Sequence, residues 1–498
     1  MTIASAAALA GASAVEISSL IRDGRVTAAE VVESALARID ALDDSLHAFV
    51  ERTDSLARTQ AAEVDAAFAR GDDPGPLAGV PIAVKDLIAT AGVPTRNGTV
   101  VYGDWIPDED DIVVERLKKA GAVILGKTTV PEFGYSAVGH NPVSPPARNP
   151  WNPELTPGGS SAGSAVAVAT GMSPLALGSD GGGSVRIPAS LCGLVGFKAS
   201  MGRVPLYPGC RDERFPGMSS WETIEHIGPM TRSVTDAALL MSVIAGPDPR
   251  DRHSLPAGDV DWCGAVSDGP ARDLAGKRIA YSADLGYLPV DPRVRSIVAT
   301  AVEAFEELGA TVVEADPGID DPRSYIWSIV MADSDLVGMR GLVAQYRDRM
   351  SPHLVELIER RWTAEEFTTA QMMRKRVVNQ LWRFMQNYDL LITPTLAVPA
   401  FPIGIQGPEL IDGRMVDSGS WLGFLNIFNW SGQPAISVPA GFTDDGLPVG
   451  LQIVGPHLGD AAVLAAAALF EQQRPWQHRW PELAPPVTGG AREEQSAR

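Results

Sequence analysis

The sequence predicts an α/β protein that folds as one large domain. Short apolar runs bounded by glycine and proline, typical of buried strands, alternate with amphipathic helical stretches from one end of the chain to the other. No segment of linker-like composition interrupts this alternation in the 498 residues, of which 45% are hydrophobic. We therefore expect one domain over residues 1–488 and a disordered polar tail over residues 489–498.

The N-terminal part predicts a helix followed by two strands. Thr27 and Glu30 form a capping box that starts the helix, because each side chain can bond the backbone N–H of the other residue. Residues 76–86 form a short apolar run with glycine and proline at its boundaries, which predicts a strand. Residues 122–126 predict a second strand that is buried on both faces.

The middle of the chain predicts a loop, a helix and a strand–helix–strand unit. Residues 139–160 are crowded with proline, asparagine and glycine and are expected to be a loop. Residues 163–170 predict a helix of small residues that can pack tightly beneath a site. Residues 276–316 predict a helix between two strands, at 278–281 and 311–313.

Residues 322–387 are mostly amphipathic helix, and we expect them to form a helical cap within the domain. A second capping box, Thr363 with Glu366, marks a helix start inside this segment. The strand pattern returns after it, at residues 390–392 and 435–438.

Composition argues against several kinds of partner. Acidic residues outnumber basic ones by 61 to 41, which argues against nucleic acid and anionic membranes because both attract basic patches. No apolar run reaches the ~20 residues of a membrane span, and the first 14 residues lack the basic start of a signal peptide. Three cysteines without a paired spacing fit reduced thiols, so we expect a cytoplasmic protein. We expect no cofactor and no metal, and the sequence leaves the oligomeric state open.

Residues 178–189 (GSDGGGSVRIPA) carry the clearest chemical signal. Gly181, Gly182 and Gly183 run directly into Ser184. Glycines leave room for a ligand to approach the main chain, and bare N–H groups beside a hydroxyl can stabilise a tetrahedral oxyanion. For the glycine run alone, a turn without function is the better interpretation, and the chain must also supply a base for Ser184 before a catalytic role is favoured.

A nucleophilic serine needs such a base, and histidine is the usual one. The chain has seven histidines, and none lies in a motif typical of a catalytic triad. A lysine held neutral by burial is the other known solution. Lys85 is the best candidate because it follows the apolar run 80–84. On this segment alone, a strand-end lysine that reaches solvent is an equally good interpretation.

A different serine also matches a nucleophile motif. Residues 159–163 (GSSAG) fit the G-x-S-x-G elbow of α/β-hydrolases, in which Ser161 would be the nucleophile of an esterase. That elbow must follow a strand directly, but residues 149–157 contain three prolines, which lack the N–H that a central strand needs. The esterase interpretation is therefore the weaker one.

Taken together, these motifs resemble the amidase signature family of serine hydrolases. The family combines a lysine, a serine held by a cis peptide bond in a GGSS loop, and a nucleophilic serine after a glycine-rich turn. Here the separation is 75 residues from Lys85 to Ser160 and 24 residues from Ser160 to Ser184, as in the family. Further motifs in the family's order lie at residues 126–133, 228–236, 432–441 and 446–452.

The resemblance implies the fold and the roles of the site residues. The fold would be a mixed central β-sheet covered by helices on both faces. Ser184 would be the nucleophile, Ser160 the bridging serine and Lys85 the base. The oxyanion hole would be formed by the backbone N–H groups of Gly181, Gly182, Gly183 and Ser184. The supporting residues would be Ser161, Asp180 and Arg186.

The resemblance also implies the reaction, with two alternatives for how the chain works. One is a free-standing bacterial amidase, similar to nylon-oligomer hydrolases and urethanases, that cleaves small amides or carbamates through an acyl-enzyme. Gly181 favours it, because many family members have threonine there and the exchange indicates a subgroup. The other is an A-type subunit of glutamine amidotransferase that works in a complex. Segments 206–218 and 322–387 contain aromatic and methionine residues that belong either to an apolar pocket or to the core, namely Tyr207, Phe215, Trp327, Met331, Met339 and Tyr346.

Overall fold

A mixed β-sheet of eleven strands forms the centre of the protein. The computed structural model describes residues 9–103, 105–209, 214–217, 221–258, 260–267 and 273–483. Its strands are β1 (Phe49–Arg52), β2 (Pro81–Lys85), β3 (Val123–Thr128), β4 (Leu175–Ser179), β5 (Val195–Lys198), β6 (Ile227–Thr231), β7 (Arg278–Tyr281), β8 (Thr311–Glu314), β9 (Leu390–Pro394), β10 (Leu410–Ile411), β11 (Arg414–Met415), β12 (Ala435–Phe442) and β13 (Pro448–Val454). The sheet order is β1-β3-β2-β4-β6-β5-β12-β13-β9-β7-β8, and β10 pairs with β11 alone.

Helices surround this sheet. They are α1 (Ala14–Arg22), α2 (Ala28–Leu46), α3 (Asp54–Arg70), α4 (Ile112–Lys119), α5 (Ala162–Ala169), α6 (Arg186–Cys192), α7 (Val234–Ile244), α8 (Pro292–Glu307), α9 (Ile326–Ala332), α10 (Leu336–Tyr346), α11 (Pro352–Glu359), α12 (Ala364–Phe384), α13 (Asn426–Trp430) and α14 (Asp460–Gln473). The predicted α/β fold with a mixed central sheet is confirmed.

The direction of the central strands places the site. β2 runs parallel to both β3 and β4, and all three strands are buried along their whole length. Because parallel neighbours end at the same edge of a sheet, the last residues of β2 and β4 meet there. These residues are Lys85 and Ser179.

Most elements expected from the sequence are present. Both capping boxes are closed: the Thr27 side chain accepts from the Glu30 N–H, and the Thr363 side chain accepts from the Glu366 N–H. The strands additional to those that the sequence predicts are β1, β4, β5, β6, β10, β11 and β13. β6 contains Pro229 and β13 begins at Pro448, and such residues conceal a strand pattern because proline is depleted in strands.

Segment 322–387 is helical, as expected, and comprises α9 to α12. That it behaves as a cap, and that residues 1–488 form one domain, stay predictions. Residues 489–498, expected to be a disordered tail, lie outside the described residues.

Candidate active site

Lys85 ends β2 with its side chain completely buried. Its Nζ donates to Ser160 Oγ at 2.7 Å, to Ser179 Oγ at 2.9 Å and to the Ser179 carbonyl at 3.0 Å. Of the two interpretations that the sequence left open for Lys85, the one in which the amine reaches solvent is therefore wrong.

The surroundings of Lys85 favour the neutral amine. Burial lowers the pKa of Lys85 from its ordinary value to about 7, because removing the ammonium ion from water is unfavourable. The carboxylates of Glu225 and Asp180 oppose this shift and raise the pKa in part. A substantial fraction of Lys85 is therefore neutral near pH 7.

Ser160 lies in the loop before α5, and its side chain is fully buried. The Gly159–Ser160 peptide bond is cis. The next residue, Ser161, ties this loop to its neighbours, because its N–H donates to the Ser184 carbonyl at 3.3 Å. The Ser161 hydroxyl accepts from the Ser179 N–H and donates to the Ser179 carbonyl, both at 3.3 Å.

The structure does not support Ser161 as the nucleophile of an α/β-hydrolase elbow. Residues 149–157 form turns and two isolated bridges rather than a strand. The Ser161 side chain is also fully buried.

Ser184 lies on the turn between β4 and α6, and 7% of its surface is exposed. The turn is fixed by Asp180, whose carboxylate receives Nε and Nη2 of Arg186 at 2.9 Å each. Neither side chain of this ion pair has any exposure. Asn429 Nδ2 donates to the Asp180 carbonyl at 2.6 Å and to its carboxylate at 2.8 Å. Burial alone would raise the pKa of Asp180, but Arg186 and Asn429 hold it well below its usual range.

The glycine N–H groups differ from the sequence-based expectation at one position. The Gly183 N–H donates to Asp180 Oδ1 at 2.6 Å, so it is already engaged. Within the described residues, no hydrogen bond accounts for the N–H groups of Gly181, Gly182 and Ser184. Gly183 has a φ of +113°, which strongly favours glycine, whereas Gly181 and Gly182 do not lie in this region.

A cleft of about 800 Å³ opens in front of Ser184. Most of its wall is apolar, and its polar side chains include Arg323, Asp417 and Asn426. Its lining consists of Gly134, Tyr135, Ser136, Ala137, Gly181, Gly182, Ser184, Ile187, Trp221, Arg323, Ile326, Trp327, Val330, Asp417, Gly419, Leu422 and Asn426. The cleft can therefore hold a small molecule with an apolar body.

Tyr135 and Trp221 form an aromatic pair in this wall. Their ring centroids are 4.7 Å apart and their planes are inclined by 64°, an edge-to-face contact. The Tyr135 hydroxyl and the Ser334 hydroxyl, just after α9, are 2.7 Å apart. Sequence reasoning missed both rings, because a single aromatic residue in a loop carries no pattern that separates pocket from core.

A second, smaller cavity lies beside Trp221. Its wall includes Asp111, Ser179 and Glu225, and Trp221 lines both cavities. Burial, together with the charge of Glu225, raises the pKa of Asp111 to about 8. This polar cavity is therefore bounded in part by Ser179, one of the two serines that accept from Lys85 Nζ.

Of the aromatic and methionine residues that the sequence suggested for a pocket or the core, some lie at the cleft and others do not. Trp327 lines the cleft, and Met339 lies behind it, where its sulfur is 3.7 Å from the Tyr135 hydroxyl. Phe215 instead packs on Tyr102 and Trp105. Residues 210–213 and 218, which belong to the predicted pocket segment 206–218, lie outside the described residues.

Two kinds of feature are absent from the described part of the chain. No group of three or more His, Cys, Asp or Glu residues there could hold a metal ion. No described helix is long and apolar enough to cross a membrane.

Comparison with known proteins relates this chain to amidases and to an amidotransferase subunit. The amidase family model matches residues 30–464. An acylamidase of Rhodococcus erythropolis is 38% identical, over 94% of this chain and 97% of its own. The A-type subunit of glutamyl-tRNA(Gln) amidotransferase from Carboxydothermus hydrogenoformans is 35% identical, over 95% of this chain and 99% of its own. The crystal structure of a bacterial aryl acylamidase of the amidase signature family superimposes with a TM-score of 0.86 at 32% identity, over 94% of this chain and 97% of that one.

Proposed function

Because this chain belongs to the amidase family and is a hydrolase of carbon–nitrogen bonds other than peptide bonds, we propose that it cleaves small amides and carbamates. Ser184 is the proposed nucleophile, Ser160 the bridging serine and Lys85 the base. The observation that carries the proposal is the 2.7 Å contact between the buried Lys85 amine and Ser160, beside the turn that holds Ser184.

The proposed reaction begins with a proton relay. Neutral Lys85 takes the proton of Ser160 while Ser160 takes the proton of Ser184, and Ser184 Oγ bonds to the carbonyl carbon. The oxygen of that carbonyl becomes an oxyanion, to which the N–H groups of Gly181, Gly182 and Ser184 donate. One such donor contributes about 3 kcal/mol in comparable sites.

The relay then runs in the opposite direction. As the C–N bond breaks, Ser160 gives a proton to the leaving nitrogen and recovers one from Lys85, so the amine departs neutral. Ser184 now carries the acyl group as an ester. Water attacks this acyl-enzyme, loses its proton through the same relay, and releases the acyl group as an acid.

The cleft supports a substrate with an apolar body. Tyr135, Trp221, Ile326 and Leu422 offer such a body aromatic and aliphatic contacts around Ser184. The similarity to an acylamidase and to an aryl acylamidase supports acyl amides of alkyl or aryl amines. A carbamate presents the same carbonyl–nitrogen bond to the same nucleophile, so we include it in the substrate class.

A second candidate is an amidotransferase A-type subunit that works only in a complex. The similarity to one such protein over 95% of this chain favours it. The two candidates differ in what the isolated chain does. A free-standing amidase releases an amine from an anilide without a partner, whereas the second candidate predicts glutamine hydrolysis that depends on partner proteins.

The deciding experiment assays the purified chain against an anilide, a carbamate, a lactam and glutamine. We expect amine release from the anilide and the carbamate, and loss of turnover by at least about a thousandfold in Ser184→Ala. Ser242→Ala, which changes an exposed serine on α7, is the matched control and should behave as wild type. Unchanged turnover in Ser184→Ala would overturn the assignment.

A further inference from the structure

We infer that Trp221 sets the size limit of the substrate pocket, and that its position requires glycine at residue 181. The inference rests on the proposed function and adds to it a residue that determines specificity. Trp221 contributes to the wall of the cleft in front of Ser184 and to the wall of the polar cavity behind it. Trp221 is therefore the residue that the two spaces share.

The first observation behind this inference is that Trp221 leaves no room for a side chain at residue 181. A Cβ atom added at Gly181 would lie 2.7 Å from Cε3 of Trp221, with two further indole atoms at 3.3 and 3.5 Å. Carbon atoms do not approach so closely, so one of the two groups must move. The backbone at Gly181 does not lie in the left-handed region, so the indole ring, and not the local conformation, excludes a side chain there.

The second step is that Trp221 is held in place. The backbone N–H of Trp221 donates to the Asp333 carbonyl at 3.2 Å, and the backbone N–H of Thr223 donates to the Asp333 carboxylate at 2.8 Å. Arg374 on α12 donates to both the hydroxyl and the carbonyl of Thr223 at 2.8 Å. These hydrogen bonds fix the backbone of residues 221–223 to segment 322–387, so the point from which the indole ring projects is held in place.

A second aromatic ring, that of Tyr135, also holds the indole ring of Trp221. Tyr135 packs edge-to-face on Trp221, and its hydroxyl is paired with Ser334, the residue after Asp333. The two rings are thus positioned by consecutive residues at the end of α9. The same helix supplies Ile326 and Trp327 to the cleft, so this wall depends on one short stretch of chain.

The consequence concerns the part of a bound substrate that lies next to Gly181. With Trp221 in place, the indole ring limits how far that part of the substrate can extend. Without the ring, the cleft in front of Ser184 would join the smaller polar cavity. A bulkier substituent could then extend past the glycine turn, whereas a small one would lose its contact with the ring.

A double-mutant cycle tests the link between the two residues. Gly181→Ala should lower kcat/KM for a small anilide by at least about fivefold, and by much less in a Trp221→Ala background, as expected for residues in contact. Gly183→Ala is the matched control: φ at Gly183 is +113° and Leu425 lies 2.5 Å from the added Cβ, so Trp221→Ala should not rescue it. Equal losses from Gly181→Ala in both backgrounds would overturn the inference.

A series of anilides with acyl groups of increasing size tests the size limit. Trp221→Ala should shift the ratio of kcat/KM values by at least about fivefold towards the bulky member, and Trp221→Phe should shift it less. Trp382→Ala on α12, where 62% of the tryptophan is exposed, should leave the ratio unchanged. Thermal unfolding of each variant establishes that it is folded.

The two proposals fail in different ways. If the wild-type chain has no activity on any anilide, the proposed function is wrong. If the wild-type chain is active and Trp221→Ala leaves the size ratio as it was, only the inference about Trp221 is wrong.

Discussion

Lys85 donates from Nζ to Ser160 Oγ across 2.7 Å, in surroundings where neither side chain has any exposure to solvent. The charge of Lys85 is therefore governed by the protein interior rather than by bulk water. Its pKa of about 7 lies within the range in which enzymes are commonly assayed.

The first prediction is a loss of activity at acidic pH. Because burial lowers the pKa of Lys85 to about 7, the amine becomes protonated as the pH falls below that value and cannot accept a proton. We expect kcat/KM for an anilide to fall about tenfold per pH unit well below pH 7. A pH profile from 5 to 9 measures this, and equal values at pH 5 and pH 8 would contradict a neutral lysine base.

The second prediction concerns Glu225, which lines the polar cavity behind the site. The two carboxylates that raise the pKa of Lys85 are those of Glu225 and Asp180. Glu225→Gln removes one of these charges, so the pKa of Lys85 should fall and the acid limb of the profile should move to lower pH.

The control for this shift is Glu222→Gln on the same loop. Glu222 pairs with Arg252 at 2.6 Å, and it is not among the carboxylates that raise the pKa of Lys85. Its profile should match the wild type. A Glu225→Gln profile that moves to higher pH, or not at all, would show that Glu225 does not act on Lys85.

The third prediction is that Asp180 is essential for stability. Asp180→Asn leaves Arg186 buried without its counter-charge and replaces one of the two oxygens that accept hydrogen bonds from Arg186, Asn429 and the turn. Breaking a buried pair in this way costs about 3–5 kcal/mol, so thermal or urea unfolding should detect it readily. Asp72→Asn, which breaks an exposed pair with Arg70, should cost no more than about 1 kcal/mol. Equal stability of the two variants would refute this account of the turn.

The fourth prediction concerns Glu132, which joins the core to segment 322–387. Its carboxylate accepts from the Thr99 hydroxyl at 2.7 Å and from the N–H of Ser351, the residue before α11, at 2.6 Å. Glutamine can accept at only one of these positions, so Glu132→Gln should destabilise the protein by about 1–3 kcal/mol.

Hydrogen exchange gives this prediction a local measurement. Exchange should increase in residues 352–384 of Glu132→Gln, because the start of α11 loses an anchor. Glu356→Gln, on the exposed side of α11, should leave exchange unchanged. An increase spread evenly over the whole chain would mean that Glu132 has no special relation to this segment.

The contiguous parts of the site could be predicted from the sequence. Ser160 and Ser184 lie in glycine-rich motifs that are short in sequence, and Lys85 ends an apolar run, so each carries a local signal. The parallel pairing of β2 with β4 brings Lys85 and the turn of Ser184 to one edge of the sheet, whereas Ser160 comes from the loop before α5. The engagement of Gly183 with Asp180 could not be predicted, because it depends on the conformation of the turn and not on its composition.

The walls of the cleft could not be predicted in the same way. Tyr135 and Trp221 are brought together by contacts with Asp333 and Ser334, which lie more than a hundred residues away in the chain. Nothing in the local sequence of either ring reports such a contact. Met331 and Met339, which the sequence suggested for a pocket or the core, are both buried.

The order of these parts along the chain has a consequence for variation. The proposed reacting groups all lie between residues 85 and 184, whereas much of the cleft wall comes from residues 221 and 323–426. Substitutions in the later stretches can thus alter which molecules are accepted while the reacting groups stay as they are. Gly181 and Trp221 mark a limit of that independence, because each one's identity restricts the other's.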